Sequence, residues 1–244
     1  MEDKIIGRNP VMEAIRSGRE IEKIFVKKGG AEGSIVSIIK KAKEKGIIVT
    51  EVDRQKLDTM AEGENHQGIV ALAAVCDYVS VQDILDAAEK KGKPPFVIIC
   101  DKITDPHNLG SIIRTANCVG ADGIIIPKRN SVGLNSVVAK TSAGAIEYTP
   151  VARVTNIART IDELKEKGLW IAGADMGENS MYKTDLKGAI GLVIGSEGEG
   201  ISRLVREKCD FLVTIPMYGD INSLNASVAA AVLMYEISRQ RENS

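Results

Sequence analysis

The chain has 244 residues, of which 44% are hydrophobic and 27% charged, and its formal net charge is −1. This is the composition of an ordinary soluble globular protein with one large or two modest domains. A charge so near zero neither requires nor excludes a nucleic-acid partner. No apolar run approaches the roughly 20 residues of a membrane span, and Met1-Glu2-Asp3-Lys4 lacks the basic-then-apolar pattern of a secretory leader, so a cytoplasmic location is expected. Cys76, Cys100, Cys118 and Cys209 are scattered without a Cys-x-x-Cys pair, and only His66 and His107 could join them as soft ligands. No metal site is expected.

Residues 1–75 read as a small α/β unit. Pro10–Arg16 is helical in pattern and Ile21–Val26 alternates like a strand. Ile35, Ile38, Ile39 and Ala42 share one face of a helix over Ile35–Glu44. A short strand over Gly46–Thr50, a helix over Gln55–Met60 and a strand over Gln67–Val75 follow. Residues 76–95 hold one amphipathic helix, Val81–Lys90, and then Lys91-Gly92-Lys93-Pro94-Pro95, which reads as a linker.

From residue 96 to 244 strands and helices alternate. Strands are expected over Phe96–Cys100, Gly123–Pro127, Glu147–Val151, Trp170–Ala174, Ile190–Gly195 and Phe211–Pro216. Helices are expected over Asn108–Val119, Leu134–Ser142, Asn156–Lys167, Ile201–Lys208 and Asn225–Arg241. The strands are continuous apolar runs rather than alternating ones, which suits a parallel sheet covered on both faces.

Three polar loops follow strands in this second domain, and open α/β sheets bind ligands at the C-terminal ends of their strands. Gly195-Ser196-Glu197-Gly198-Glu199-Gly200 lacks the lysine of a phosphate loop and the spacing of a dinucleotide fingerprint. It reads either as a tight turn or as a loop that presents Glu197 to a ligand. Ile215–Ser227 crowds Asn222, Ser223, Asn225 and Ser227 at one helix start, with Met217 and Leu224 as apolar walls. Neutral donors and acceptors of this kind suit a nucleoside-like ligand. Asp105–Ala116 places Asn108 as a helix cap, with Arg114 six residues on in a run of small and apolar residues. A guanidinium buried there would need a carboxylate or phosphate partner.

These three segments resemble the signature motifs of the SpoU (TrmH) family of RNA ribose 2′-O-methyltransferases. The first is Asn108-Leu109-Gly110 with Arg114-Thr115-Ala116, the second Ile194-Gly195-Ser196-Glu197-Gly198, and the third Ile215-Pro216-Met217 with Ser223-Leu224-Asn225-Ala226-Ser227. Gly7–Ala14 and His66–Ala71 resemble the added substrate-binding domain of bacterial members, which is similar to ribosomal L30e. Asp101–Asn108 and Val154–Thr160 are similar to the branch that methylates a guanosine of 23S ribosomal RNA.

The resemblance implies an L30e-like RNA-binding domain over 1–75, a linker over 76–95 and a trefoil-knotted, mainly parallel α/β methyltransferase domain over 96–244. It implies S-adenosylmethionine held by Gly195, Ile215, Met217, Ser223 and Leu224. It also implies catalytic roles for Arg114, Asn108, Glu197 and Asn225, and a homodimer formed through the knotted domain. Arg114 is expected to bind a phosphate and steady the developing alkoxide, because a guanidinium stays protonated and makes a poor base. Arg8, Lys27 and Lys28 are the expected RNA contacts. A 2′-O-methyltransferase acting on transfer RNA or on another ribosomal site, and a noncatalytic RNA-binding assembly factor, are the competing readings; a nucleotide-binding enzyme of the flavodoxin-like or Rossmann class is disfavoured by the missing phosphate fingerprint.

Overall fold

The computed structural model describes residues 4–30, 32–177 and 179–242. Met1–Asp3, on which part of the leader reading rests, lie outside the described residues. The chain divides into two compact units, Met1–Asp77 with Leu134–Ser136, and Tyr78–Gly133 with Val137–Ser244.

The first unit is built on a four-stranded sheet in the order β1-β4-β2-β3, with β1 (Lys4–Ile6), β2 (Ile21–Lys27), β3 (Ile48–Val52) and β4 (Ile69–Ala73). β2 and β3 run parallel, and β4 runs antiparallel to both β1 and β2. Helices α1 (Arg8–Ser17) and α2 (Ser34–Glu44) bury Val11, Ile15, Ile35, Ile38 and Ala42 against Ile24, Val26, Ile69 and Ala71. Helix α3 (Arg54–Ala61) sets Leu57 and Ala61 against Phe25, Val52 and Val70 on the opposite face. Alternation along β4 divides the two cores, with Ile69, Ala71 and Ala73 on one face and Val70 and Leu72 on the other, and β2 alternates likewise over Ile24–Val26 after a register shift between Ile21 and Lys23. β1 escaped the sequence pattern because Lys4-Ile5-Ile6 is too short to show a period.

The second unit holds a six-stranded sheet in the order β10-β8-β9-β5-β6-β7, with every pair parallel. Its strands are β5 (Phe96–Cys100), β6 (Gly123–Pro127), β7 (Val151–Val154), β8 (Trp170–Ala174), β9 (Ile190–Ile194) and β10 (Phe211–Val213). On one face lie α4 (Val81–Lys90), α7 (Ile157–Glu166) and α8 (Arg203–Lys208), whose Ile84, Ile161, Leu164 and Val205 join Val97, Ile99, Ile171 and Val193 in one core. On the other, α5 (Pro106–Cys118) and α9 (Ala226–Glu242) pack on each other, and α9 also packs on β8 and β9. Coverage on both faces explains why these strands read as unbroken apolar runs. α6 (Ser136–Thr141) lies against α5, where a Cβ on Gly110 would stand 2.6 Å from Thr141 Cβ.

Two expectations are corrected. The helix expected over Val81–Lys90 forms as α4, but the stretch over 76–95 that holds it is not a linker: Ile84 and Ala88 are buried, and a Cβ on Gly123 of β6 would meet Ile84 at 2.6 Å. Its helix belongs to the second unit's core. The strand expected over Glu147–Val151 starts at Val151 instead, because a 3-10 turn over Ala145–Glu147 occupies the preceding residues. Thr149 N–H donates to the Ala145 carbonyl, and Pro150 has no N–H for a ladder.

A segment between β8 and β9 is clasped by residues far along the chain. Thr214 accepts from Met181 N–H through its carbonyl and donates its own N–H to Asn179. Its Oγ1 donates to Asp175 and Gly177 carbonyls at 2.8 and 3.1 Å. From α9, Gln240 accepts from Leu186 N–H at 2.9 Å and donates to the Thr184 carbonyl at 3.1 Å. Glu236, 7% exposed, accepts from Gln240 at 2.7 Å and from both Nε and Nη2 of Arg239. The Arg239 hydrogen bond holds its carboxyl below the usual carboxylate range. No helix among the described residues is long and apolar enough to cross a membrane.

Candidate active site

The strand order reverses direction between β5 and β9. From β5 the chain builds outward through β6 and β7, and then returns to build the other half of the sheet. The crevice outside the C-terminal ends of β5 and β9 is therefore the topological switch point, where open α/β sheets take ligands. The loops that leave these two strands are 101–105 and 195–200.

The two loops are tied together. Asp101 N–H donates to the Ile194 carbonyl at 2.8 Å, and Asp101 Oδ2 accepts from Ser202 N–H at 2.7 Å. Lys102 Nζ reaches Glu199 Oε2 at 3.1 Å. Gly195 sits where its loop folds back, since Ser196 and Gly200 exchange backbone hydrogen bonds across the turn. A Cβ at Gly195 would overlap the Gly200 carbonyl and the Ile201 nitrogen. That contact settles the reason for this glycine: two stretches of backbone cross there.

Asp105, not Asn108, caps α5. Its carboxylate accepts from His107 N–H at 2.8 Å, and Pro106 takes the first helical position, where a missing N–H costs nothing. Asn108 lies one turn inside the helix, 6% exposed. Freed from capping, its Nδ2 donates to Glu197 Oε1 at 3.0 Å and its Oδ1 accepts from Asn225 Nδ2 at 3.0 Å. Asn225 Nδ2 also donates to Glu197 Oε1. The other end of Asn225 caps α9, with Oδ1 accepting from Ser227 N–H at 2.9 Å and Ser227 Oγ at 2.7 Å. One amide thus starts a helix and closes a ring of three side chains drawn from three separate segments, the first turn of α5, the loop after β9 and the start of α9.

The remaining expected residues divide. Ile215 and Met217, Ser223 and Leu224 lie on the segment between β10 and α9; Met217 and Leu224 are each 38% exposed. Residues 216–224 have no hydrogen bond among the described residues. Ser223 and Asn222 are exposed and take no part in capping. For Arg114, the alternative of a buried arginine paired with a carboxylate is not what the structure shows. It is exposed, with no ion pair among the described residues. Six residues beyond Asn108, it stands about 9 Å further along α5 and on a different face of it. The three-residue ring is assembled within one chain, and Arg114 is not part of it.

Cysteine chemistry is absent from this site. Cys100 ends β5 directly behind the crevice, but its thiol is wholly buried and pushed up to about 12, by burial first and then by the Asp101 charge. Cys209 is also pushed up to about 12, by burial and then by Asp210. Thiols this weakly acidic supply no nucleophile near neutral pH. No group of three or more His, Cys, Asp or Glu side chains suited to a metal occurs among the described residues.

Comparison with known proteins decides what the site belongs to. Residues 95–235 match the SpoU rRNA methylase family, and residues 4–78 match the RNA 2′-O ribose methyltransferase substrate-binding family. The chain belongs to the SpoU family of RNA methylases. YacO of Bacillus subtilis (strain 168), assigned to the TrmH family of tRNA/rRNA methyltransferases, is 50% identical over 240 residues, covering 98% of this chain and 96% of its own. A Staphylococcus epidermidis protein assigned to the same family is 51% identical over 244 residues, covering 99% and 97%. Among solved structures, the SpoU methyltransferase AviRb of Streptomyces viridochromogenes in complex with AdoMet superposes with a TM-score of 0.64 at 23% identity. The match covers 100% of this chain and 92% of AviRb. An AdoMet-bound rRNA methyltransferase of Sinorhizobium meliloti gives 0.60 at 24%, covering 97% and 86%. The second unit therefore has the knotted SpoU fold, the first is a substrate-binding domain, and the enzyme is an RNA 2′-O-methyltransferase.

Two groups escaped sequence reading. Gln240 sits in the polar tail of a helix, and its partners Leu186 and Thr184 lie 54 and 56 residues away. The segment starting at Asp175 also leaves the C-terminal end of a strand, between those that carry the other loops, and Asp175 pairs with Arg206 at 3.2 Å. Its position after a strand was the available signal; it lacks the glycines that drew attention to the other loops.

Proposed function

We propose that this methyltransferase uses S-adenosylmethionine to methylate the ribose 2′-hydroxyl of a guanosine in 23S ribosomal RNA, as a cytoplasmic homodimer joined through the knotted domain. The observation that carries this reading is the ring of Asn108, Glu197 and Asn225 at the sheet's switch point, one residue from each motif. The residues present suit the cofactor. Around Gly195, Ile215, Met217, Ser223 and Leu224 they offer apolar surface, neutral polar groups and unbonded backbone, without a phosphate loop, as a nucleoside-bearing ligand requires. When bound, the cofactor supplies an electrophilic methyl on a sulfonium.

This chain's residues have the remaining tasks. The ring fixes Glu197 by placing two amide donors on Oε1, which leaves Oε2 available to take the ribose hydroxyl proton. Arg114 binds the neighbouring RNA phosphate and steadies the alkoxide as charge develops on it. Holding the ribose 2′-oxygen in line with the methyl it attacks would supply much of the rate. The dimer reading draws on α9, where Val228, Ala231, Val232 and Tyr235 fall at helical spacing on one side. Val228 is 47% and Tyr235 57% exposed. A second copy covering that stripe would also give the exposed Arg114 a surface on which to act. Arg8, Lys27 and Lys28 of the first unit are the RNA contacts in this scheme.

Replacing Glu197 by Gln tests the proton route. Single-turnover transfer should slow and lose its rise with pH, while binding of the cofactor by calorimetry stays as in the wild type. An unchanged rate and pH profile would remove Glu197 as the acceptor.

A further inference from the structure

In the first unit, Arg8 is half-buried and held at two points. Its backbone N–H donates to Gln67 Oε1 at 3.1 Å, and its side-chain Nε donates to the Gln67 carbonyl at 2.9 Å. Gln67 itself has φ +52°, in the left-handed region that a side-chain-bearing residue seldom adopts, followed by Gly68 at +85°. Three contacts hold this turn. Asn65 Oδ1 accepts from Gln67 N–H at 3.2 Å, and His66 Nδ1 accepts from Gly68 N–H at 2.9 Å. That leaves Nε2 as the proton-bearing nitrogen of His66, which donates to Asp58 at 2.9 Å. The Gly68 carbonyl then accepts from Lys27 N–H at 3.0 Å, so Arg8 and Lys27 flank the same dipeptide.

With Nε engaged, the guanidinium keeps its two Nη groups as a fork. Neither is hydrogen-bonded and Arg8 has no ion pair among the described residues. Lys27 is exposed on the other side of that dipeptide. A fork of this geometry matches two phosphate oxygens, and fixing it before binding lowers the ordering cost.

We propose that Gln67 is a positioning residue that presents Arg8 as an oriented phosphate fork, with Lys27 as the second charge, for the RNA backbone. The proposal rests on the reading that the first unit takes RNA. It adds which residues orient the contact, and that the contact is to backbone phosphate rather than to a base.

The test uses the full-length protein, with transcribed unmethylated 23S rRNA and a tRNA transcript as probes across a KCl series. Arg8→Ala should weaken binding about tenfold and lower the slope of log affinity against log salt by about 1, the loss of one phosphate contact. Arg8→Lys keeps the charge but not the fork, so it should lose affinity while nearly keeping the slope. Gln67→Gly keeps the positive φ and the carbonyl that holds Nε but loses the Oε1 contact to the Arg8 N–H, so it should lose less affinity than Arg8→Ala while nearly keeping the slope. S-adenosylmethionine affinity should be unchanged in all three. An unchanged affinity and slope for Arg8→Ala, or an Arg8→Lys variant equal to the wild type, would overturn the oriented fork. Wild type that binds neither RNA would instead remove the underlying reading of the unit.

Discussion

Two segments leave neighbouring strands at the same edge of the methyltransferase sheet, and they are built in opposite ways. The one that follows β8 is bolted down by Thr214 and Gln240, which satisfy backbone groups from Asp175 to Leu186. The one that follows β10 carries Tyr218 at 88% and Ile221 at 76% exposure and has no hydrogen bond from 216 to 224 among the described residues. Polar groups that bond within the chain fix a shape, whereas exposed apolar and amide groups favour contact with something else. Function should therefore concentrate on the open side of this edge and stability on the clasped side.

Arg114, on α5 and outside both segments, offers the largest test of whether function can be lost without stability. Arg114→Ala should cut single-turnover methyl transfer by about 100- to 1000-fold, the scale on which a lost charge-stabilising donor acts. Its unfolding free energy should stay within about 0.5 kcal/mol of wild type, as for an exposed residue with no ion pair among the described residues. A comparable loss of stability would make it a structural arginine.

Gly195→Ala should affect both sides at once. The added methyl overlaps the Gly200 backbone rather than a movable side chain, so an unfolding cost of about 3 kcal/mol is expected, as for severe overpacking. Calorimetry should show weakened cofactor binding, because the loop must shift. Unaltered stability and binding would mean that the backbones do not cross closely there. Gln240→Ala acts on the clasp alone. Leaving Leu186 N–H and the Thr184 carbonyl without partners should cost about 2 kcal/mol in denaturant unfolding. Methyl transfer by the fraction that remains folded should be near normal. A loss of transfer with no loss of stability would invert the division drawn above.

Much of this was readable in the sequence, for physical reasons that also set the limits. Runs such as Phe96–Cys100 and Ile190–Ile194 announce buried parallel strands because both of their faces are covered. Each of the three motifs lies within a short stretch of chain, so the ring residues Asn108, Glu197 and Asn225 could be nominated one motif at a time. Their mutual hydrogen bonds could not, because strand order brings them together. Asp105-Pro106 carried a cap signal of its own, which the more conspicuous Asn108 obscured. The exposure of Arg114 was hidden because small and apolar neighbours in a helix do not say which of its faces is covered. The clasp by Gln240 depends on a partner more than fifty residues away, and no local pattern records it.

The most direct test of the account is single-turnover transfer of a labelled methyl from S-adenosylmethionine to unmethylated 23S rRNA and tRNA transcripts, followed by digestion to nucleosides and mapping of the label. The account predicts label in a 2′-O-methylguanosine of 23S rRNA, lost in the Arg114→Ala enzyme. Label on a base, on a 2′-oxygen of tRNA alone, or in neither RNA would contradict it.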